Sequence, residues 1–484
     1  MSSGAARDGG VAGGGGLAPG GIRLRLDSGL RISGDGRTLL GGSPGRLLRV
    51  AEAGVPLIRA WADGTPVGPA APHRKLARRL LDAGMAHPVW DPAEGVTDVT
   101  VVVPTYARPA ELARCLEAVR RTAPGAPVVV VDDGSPADAG IAGVAGRFDA
   151  RLVRHPVNRG PSAARNTGLA AVETPFAALV DSDVVVPDGW LHALRPYFAD
   201  EKVAAVAPRV TSHGDGAGTG WLGEYEAAHS PLDMGPSPGL VRPAAIVPYV
   251  PTATLLVRMR AVHEIGGRFD EELPIGEDVD FEWRLVDAGW NVHYVPSVTI
   301  GHEHRTRLRP FVARRRLYAR SIGLLERRHP GALPAARVSP ALAATVVLLA
   351  ARRPVAATAA AAIGVGVLAR QLRPVVPAPV TEAAHLVAAG LPVTAMGLAR
   401  AVGRVWWPLL VPAAVAVPRL RAPLAAAVAA PIVTDWWQAG RRPRLDRYLA
   451  ARLLDDAVST AGNWEGSLRA GTPGPLLPAG TRRR

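Results

Sequence analysis

A chain of 484 residues, 48% hydrophobic and 20% charged, is long enough for one large globular domain with one or two smaller ones. Its formal net charge of +14 rests almost wholly on arginine, Lys75 and Lys202 being the only lysines; with no aromatic-interleaved basic ribbon or recognition helix, no nucleic-acid partner is expected. The single cysteine, Cys115, excludes an internal disulfide framework and a multi-cysteine metal site.

Residues 1–21 are Gly-rich and expected as a disordered tail. They lack the charged start and apolar run of a secretory signal, so the catalytic part is expected in the cytoplasm. From residue 22 to 90 the sequence predicts a small α/β module. It has short strands at Ile22 to Leu26 and Leu30 to Ser33, a turn at Gly34-Asp35-Gly36, and helical spacing over Arg46 to Ala53 and Lys75 to Ala83. A Pro, Gly and Asp run from Asp91 to Thr97 serves as linker.

Between about 98 and 330 short β-branched runs alternate with turns and helical stretches, the pattern of a mostly parallel sheet with crossover helices. Strands are expected at Val99 to Val103, Val128 to Val131, Arg151 to Arg154 and Phe176 to Val180, and helices at Pro109 to Arg121 and Ser162 to Val172. Carboxylates cluster at the carboxyl ends of these strands, where open α/β sheets place ligands. After the first strand comes Pro104-Thr105-Tyr106, and after the second Asp132-Asp133-Gly134-Ser135. A ring, hydroxyls and carboxylates on adjacent strand ends can stack and hydrogen-bond a nucleobase; an ordinary turn with an aspartate helix cap is the plainer alternative. No Gly-x-Gly-x-x-Gly follows the first strand and no P-loop occurs, which removes the main support for a dinucleotide oxidoreductase or an NTPase.

A glycine turn at Gly160 then opens the helix bearing Arg165 and Asn166. A guanidinium aimed at the strand ends can neutralise a diphosphate or hold a carboxylate, unless Arg165 is a solvated helix residue. The strand Phe176 to Val180 runs into Asp181-Ser182-Asp183, and carboxylates at i and i+2 of extended chain can present oxygen to one Mg²⁺ or Mn²⁺ bridging a diphosphate. Gly276-Glu277-Asp278 opens an amphipathic helix. Its acids either cap the helix and complement its dipole, or Asp278 or Glu277 takes the proton of an attacking acceptor hydroxyl. A single-step attack would invert the anomeric centre. His302 and His304, after an extended stretch from Asn291 to Ile300, are candidates for the metal shell or diphosphate; a surface histidine is the commoner explanation for either alone.

From about Ser339 to Trp437 the chain is rich in Ala, Val, Leu and Pro. Its apolar runs, Pro340 to Ala351, Pro354 to Ala369, Val405 to Val417 and Pro423 to Val433, fall short of the about 20 residues a spanning helix needs. Arg352, Arg353, Arg370, Arg400, Arg404, Arg419 and Arg421, with the pairs Trp406-Trp407 and Trp436-Trp437, fit an interfacial anchor at the inner face of the cell membrane. A soluble Ala-rich helical domain is the alternative.

In combination, Val-Val-Pro-Thr-Tyr, Val-Asp-Asp-Gly-Ser, Gly-Pro-Ser-Ala-Ala-Arg-Asn-Thr-Gly, Asp-Ser-Asp and Gly-Glu-Asp-Val-Asp-Phe resemble glycosyltransferase family 2 from Val99 to about Arg328. The resemblance implies an α/β, Rossmann-like GT-A core, that of a nucleotide-diphospho-sugar transferase, at 98–330. The α/β module at 22–90 would precede it and an apolar helical region at 339–470 would follow. Carried over position by position, it implies Pro104, Thr105, Tyr106 and Asp132 or Asp133 at the base, Arg165 near the diphosphate, and Asp181 with Ser182 on the nucleotide sugar. Asp181, Asp183 and His302 would hold Mg²⁺ or Mn²⁺. Asp278, with Glu277 beside it, would be the base of an inverting transferase that uses a UDP- or GDP-sugar.

The flanks, including Leu39-Leu-Gly-Gly-Ser-Pro-Gly-Arg-Leu-Leu-Arg49, are similar to those of the glycosyltransferases of the mycofactocin system. That resemblance implies UDP-glucose as donor and premycofactocin, a small peptide-derived molecule, as the acceptor to be oligoglycosylated and gripped by the leading module. A family 2 transferase of cell-envelope polysaccharide or glycolipid synthesis is the alternative among enzymes, and an inactive GT-A binding scaffold the alternative outside them.

Overall fold

The structure, a computed structural model, describes residues 16–212, 220–302, 307–441 and 443–480. The leading module contains β1 (Arg23–Leu26), β2 (Arg31–Ile32), β3 (Thr38–Gly41), β4 (Arg46–Arg49), α1 (Gly54–Ala62), α2 (Ala71–Asp82) and β5 (Ala86–Val89). β1 pairs with β5, and β2, β3 and β4 form a second antiparallel sheet. Trp61, Ile58, Leu80 and Met85 fill the core between them. The expected helix over Arg46 to Ala53 is instead strand β4 followed by a turn, because Leu47 and Leu48 pair with Leu40 and Leu39 across β3. Cross-strand pairing overrides a helical spacing that short. The module also starts before Ile22: Ala18 is buried and bonds with Arg74 through both of its backbone groups. Residues 1–15 of the expected tail lie outside the described residues.

The central sheet is built in chain order from β6 (Val99–Thr105), α3 (Pro109–Thr122), β7 (Val128–Asp132), α4 (Ile141–Arg147), β8 (Arg151–Arg154), α5 (Pro161–Ala170), β9 (Phe176–Val180), β10 (Val184–Val185), α6 (Trp190–Leu194), β11 (Val203–Ser212), α7 (Trp221–Ala228), β12 (Gly239–Leu240), β13 (Thr254–Arg258), α8 (Met259–Glu264), α9 (Glu277–Asp287) and β14 (Asn291–His302). The strand order is β10-β14-β11-β13-β9-β6-β7-β8, with β12 beside β14. β9, β6, β7 and β8 run parallel, as the β-branched runs predict. The sheet as a whole is mixed, because β13 enters antiparallel between β9 and β11. This reversal brings Thr254, the start of β13, opposite Val180, the end of β9. β6 alternates its valines between two cores: Val101 and Val103 pack with Leu112 and Leu116, and Val102 packs with Ala164 and Phe281. Burial on both faces explains the near-continuous apolar runs.

The rest of the chain is α10 (Leu308–Arg328), β15 (Ala336–Val338), α11 (Pro340–Ala350), α12 (Pro354–Leu372), α13 (Pro379–Ala401), α14 (Trp407–Ala416), α15 (Arg421–Gln438), α16 (Leu445–Ala470) and β16 (Pro478–Gly480). α16 returns to lie along α10; a side chain at Gly466 would meet the Arg320 carbonyl at 2.2 Å, so glycine sets this close approach. The apolar runs are longer than the sequence suggests: α12 spans 19 residues, and α13 with α14 forms one helical stretch of 38. Arg404, a charge at the edge of the apolar run, hydrogen-bonds Asp456 of α16 at 2.8 Å. Both stretches are long and apolar enough to cross a membrane by length and composition.

The leading module docks where β11 and β14 begin. Arg78 meets Asp200 at 2.6 Å in a buried ion pair, and Asp82 receives Lys202 at 2.7 Å and Asn291 at 3.1 Å. This is the opposite end of the sheet from the strand ends that carry the acidic motifs.

Candidate active site

The turn after β7 is wired from its own aspartates. Asp132, fully buried, accepts the Ser135 amide at 3.0 Å, and its second oxygen lies 3.5 Å from Arg154. Asp133 accepts the amides of Arg159 at 2.9 Å and Gly160 at 2.8 Å. Its Oδ1 also meets His155 Nδ1 at 2.7 Å, while the far nitrogen of that ring reaches Thr167 Oγ1 at 2.8 Å. Asp133 thereby fixes the loop that opens α5. Gly134 has φ +75°, and a Cβ there would sit 2.3 Å from the Val157 carbonyl carbon, so only glycine fits between the two loops. Ser135 Oγ accepts the Ala107 amide at 2.8 Å and ties down the loop after Pro104-Thr105-Tyr106. The Tyr106 ring stands 48% exposed, open to stacking.

Pro104, Thr105, Tyr106, Asp133, Arg165, Asp181, Ser182 and Asp183 all line one cleft of about 270 Å³. Asp132, His302, Glu277 and Asp278 are not on that lining. Arg108 and Asn158 are, and nothing in the motif reading singled them out. Arg108 could have been found from its place one turn from the strand end, since it donates to Asp183 Oδ2 at 2.9 Å.

Arg165 is the hub. It is buried, and its two terminal nitrogens donate in opposite directions, to Asp181 Oδ1 at 2.9 Å and to Glu277 Oε1 at 2.8 Å. Burial alone would weaken its charge, but Asp181 and then Glu277 outweigh it and hold the guanidinium protonated. The alternative of a solvated Arg165 is set aside by this geometry.

Asp181 and Asp183 face the cleft part-buried, and Asp183 Oδ1 lies 3.5 Å from His302 Nε2. Among the described residues no group of three or more His, Cys, Asp or Glu side chains is placed to hold a metal ion. The two carboxylates on the cleft wall, Asp181 and Asp183, fit a hard cation that takes most of its oxygens from phosphate and water. His304 lies outside the described residues.

Asp278 lies in the first turn of α9 beside Glu277, part-buried, with Arg165 among its charged neighbours. Burial first, and the charge of Glu277 second, push it up to about 7; the Val279 amide and Arg165 pull the other way. Tyr249 and Tyr318 are its other electrostatic neighbours. A carboxyl poised near neutrality, within reach of a guanidinium that also holds Asp181, can exchange a proton at physiological pH.

The profile described as "Glycosyl transferase family 2" matches residues 100–264. The chain is 37% identical over 473 residues to the pre-mycofactocin glycosyltransferase of Mycobacterium tuberculosis, covering 95% of this chain and 98% of that protein. It is 35% identical over 203 residues to succinoglycan biosynthesis protein ExoO of Rhizobium meliloti, 38% of this chain and 54% of the other. Among solved structures, a mannosyltransferase from Pyrobaculum calidifontis in complex with GDP-Man and Mn²⁺ covers 74% of this chain and 92% of its own, at 18% identity and a TM-score of 0.39. With a relative matched along almost its whole length, and the family profile running over the strands that frame the cleft, this chain is a glycosyltransferase of GT-A fold and belongs to glycosyltransferase family 2.

Proposed function

We propose that this enzyme transfers glucose from UDP-glucose to a hydroxyl of premycofactocin, with inversion at the anomeric carbon. The observation that carries the reading of the site is Arg165 joining Asp181 to Glu277, which sets the donor cleft and the acid-bearing helix α9 on either side of one guanidinium. The pathway reading is supported by the similarity to the pre-mycofactocin glycosyltransferase of Mycobacterium tuberculosis, which runs over almost the whole of both chains.

In this reading Tyr106 stacks on the nucleobase, with Pro104, Thr105 and Asp133 around it, Asp132 holding the turn from within, and Ser182 against the nucleotide sugar. Asp181, Asp183 and His302 would hold Mg²⁺ or Mn²⁺. Such a cation offsets charge on the departing nucleoside diphosphate. Arg165 keeps Asp181 oriented toward the cleft and places positive charge beside the leaving group. Asp278 takes the acceptor hydroxyl proton as the oxygen attacks the anomeric carbon and the diphosphate leaves on the far side. Glu277, tied to Arg165, keeps Asp278 basic enough for the task.

We extend the proposal to the flanks. The leading module binds the peptide-derived part of the acceptor, at a distance from the transferring centre, because it docks on the far end of the sheet. The face of α11 to α15 rests on the cytoplasmic leaflet: Val347, Val355, Ile363, Val393 and Trp437 are exposed, and Arg352, Arg353, Arg370, Arg419 and Arg421 lie near the helix ends.

Incubating the enzyme with labelled UDP-glucose and Mn²⁺, with premycofactocin and with a membrane lipid extract separately, tests the substrate. Label on premycofactocin, in the β-configuration, is expected. Label only in the lipid fraction would move the enzyme to glycolipid or polysaccharide synthesis, and inability to bind UDP at all would leave a scaffold.

A further inference from the structure

Helix α9 carries a second carboxyl behind Asp278. Glu282 lies one turn further along the same face and is completely buried. One of its oxygens accepts the Val250 amide at 2.9 Å, and the other is buried without a hydrogen-bond partner. Among the described residues no cationic side chain pairs with it; its charged neighbour is Asp278, of like sign. A carboxylate there would be desolvated with nothing to compensate it. Burial, and after it the charge of Asp278, hold this carboxyl well above the usual range.

The bond to Val250 also occupies a mechanical position. The next residue, Trp283, donates its ring N–H to the Pro248 carbonyl at 2.8 Å, so α9 grips this segment twice. Tyr249 lies between the two anchors and is an electrostatic neighbour of Asp278. A few residues on, the Ala253 carbonyl accepts the Asp181 amide at 3.0 Å. One short segment therefore couples the helix that carries Asp278 to the strand end that carries Asp181.

We propose that Glu282 keeps its proton throughout turnover and acts as a positioning residue: its neutral carboxyl anchors Val250 through one oxygen and, carrying no charge, leaves the neighbouring Asp278 free to ionise. The proposal rests on Asp278 being the general base. The groups that face Asp278 are Glu277 and Glu282 on its own helix, Arg165 on α5, Tyr249 ahead of β13 and Tyr318 on α10. With Glu282 neutral, Glu277 is the negative neighbour of Asp278 and Arg165 offsets it in part. With Glu282 ionised, two negative neighbours would keep Asp278 protonated at neutral pH and useless as a base.

Two readouts on the full-length enzyme test this. In an infrared difference spectrum at pH 7, Glu282→Gln minus parent, a protonated-carboxyl C=O stretch should vanish; loss of carboxylate bands alone would overturn the proposal. In the pH profile of kcat/KM, Glu282→Gln, which keeps a neutral acceptor and donor, should stay within about twofold of the parent with its acid limb unmoved. An acid limb displaced downward by about one pH unit would show that Glu282 was ionised. Glu282→Met, which strands the Val250 amide, should lower kcat about tenfold with donor KM unchanged. A Met variant indistinguishable from the parent would remove the positioning role, and if that variant does not fold, the Gln variant and the infrared spectrum decide. Should Asp278 prove not to be the base, the infrared result still reports on Glu282, so the two failures are separable.

Discussion

Arg165 donates to Asp181 at 2.9 Å from the same guanidinium that donates to Glu277 at 2.8 Å. The Asp-Ser-Asp turn after β9 and the Glu-Asp start of α9 are distant in sequence, and this one buried side chain fixes their separation. A planar fork with fixed donor directions can do this; a lysine ammonium cannot serve both carboxylates with the same geometry.

Arg165→Ala should leave the buried Glu277 carboxylate unpaired. Removing one partner of a buried pair costs about 3–5 kcal/mol, so chemical denaturation should report a loss of that order, together with weaker UDP binding. Arg165→Lys should recover part of the stability and little of the transfer rate. Stability equal to the parent in Arg165→Ala would show that the bridge is not formed in solution.

Gly134→Ala introduces a Cβ into backbone and a side chain into positive φ. The 157–160 loop must then move, and Asp133 loses its grip on the Arg159 and Gly160 amides. The expected result is UDP affinity lowered by about tenfold or more, read by calorimetry, with the far-ultraviolet circular dichroism unchanged. Unaltered affinity would detach this turn from the donor site.

Asp183→Ala should remove the metal dependence of donor binding. The parent should bind UDP more tightly with Mn²⁺ than without, and the variant should bind it equally weakly in both. A variant that still responds to Mn²⁺ as the parent does would place the cation elsewhere.

The pH dependence follows from the raised carboxyl of Asp278. A base must be deprotonated, so with its value up at about 7 activity should rise as pH increases through neutrality and fall away below it. An unperturbed aspartate would keep its activity down to about pH 4. A kcat/KM profile flat from pH 5 to 8 would rule out Asp278 as the titrating base.

The parallel half of the sheet was legible because Val99 to Val103, Val128 to Val131 and Phe176 to Val180 are buried on both faces and must be apolar throughout. The turn after β7 was legible because Asp132, Asp133 and Ser135 accept backbone amides of the neighbouring loops and Gly134 takes the positive φ between them. Other features depend on distant packing. β4 reads as helix until Leu47 and Leu48 find β3. β13 is an ordinary apolar run, and its reversal beside β9 is invisible without partners. Helix α13 is hidden by Glu382, His385 and Pro392, and α14 by Arg404, whose charge is met by Asp456 some fifty residues later. Glu282 reads as a surface acid in an amphipathic helix, since only the fold shows Val250 covering that face. Arg165 was found as a candidate; that it spans two carboxylates is a fact of the packing of α5 across β6 and β7, which aims its guanidinium between Asp181 and Glu277.

The most direct test of the central claim is Asp278→Asn, assayed for sugar transfer and for UDP and Mn²⁺ binding on the same preparation. Transfer should fall by about 10² to 10⁴ in rate while the binding of UDP with Mn²⁺ stays at the parent value. Transfer at the parent rate would contradict the account and hand the proton to another residue.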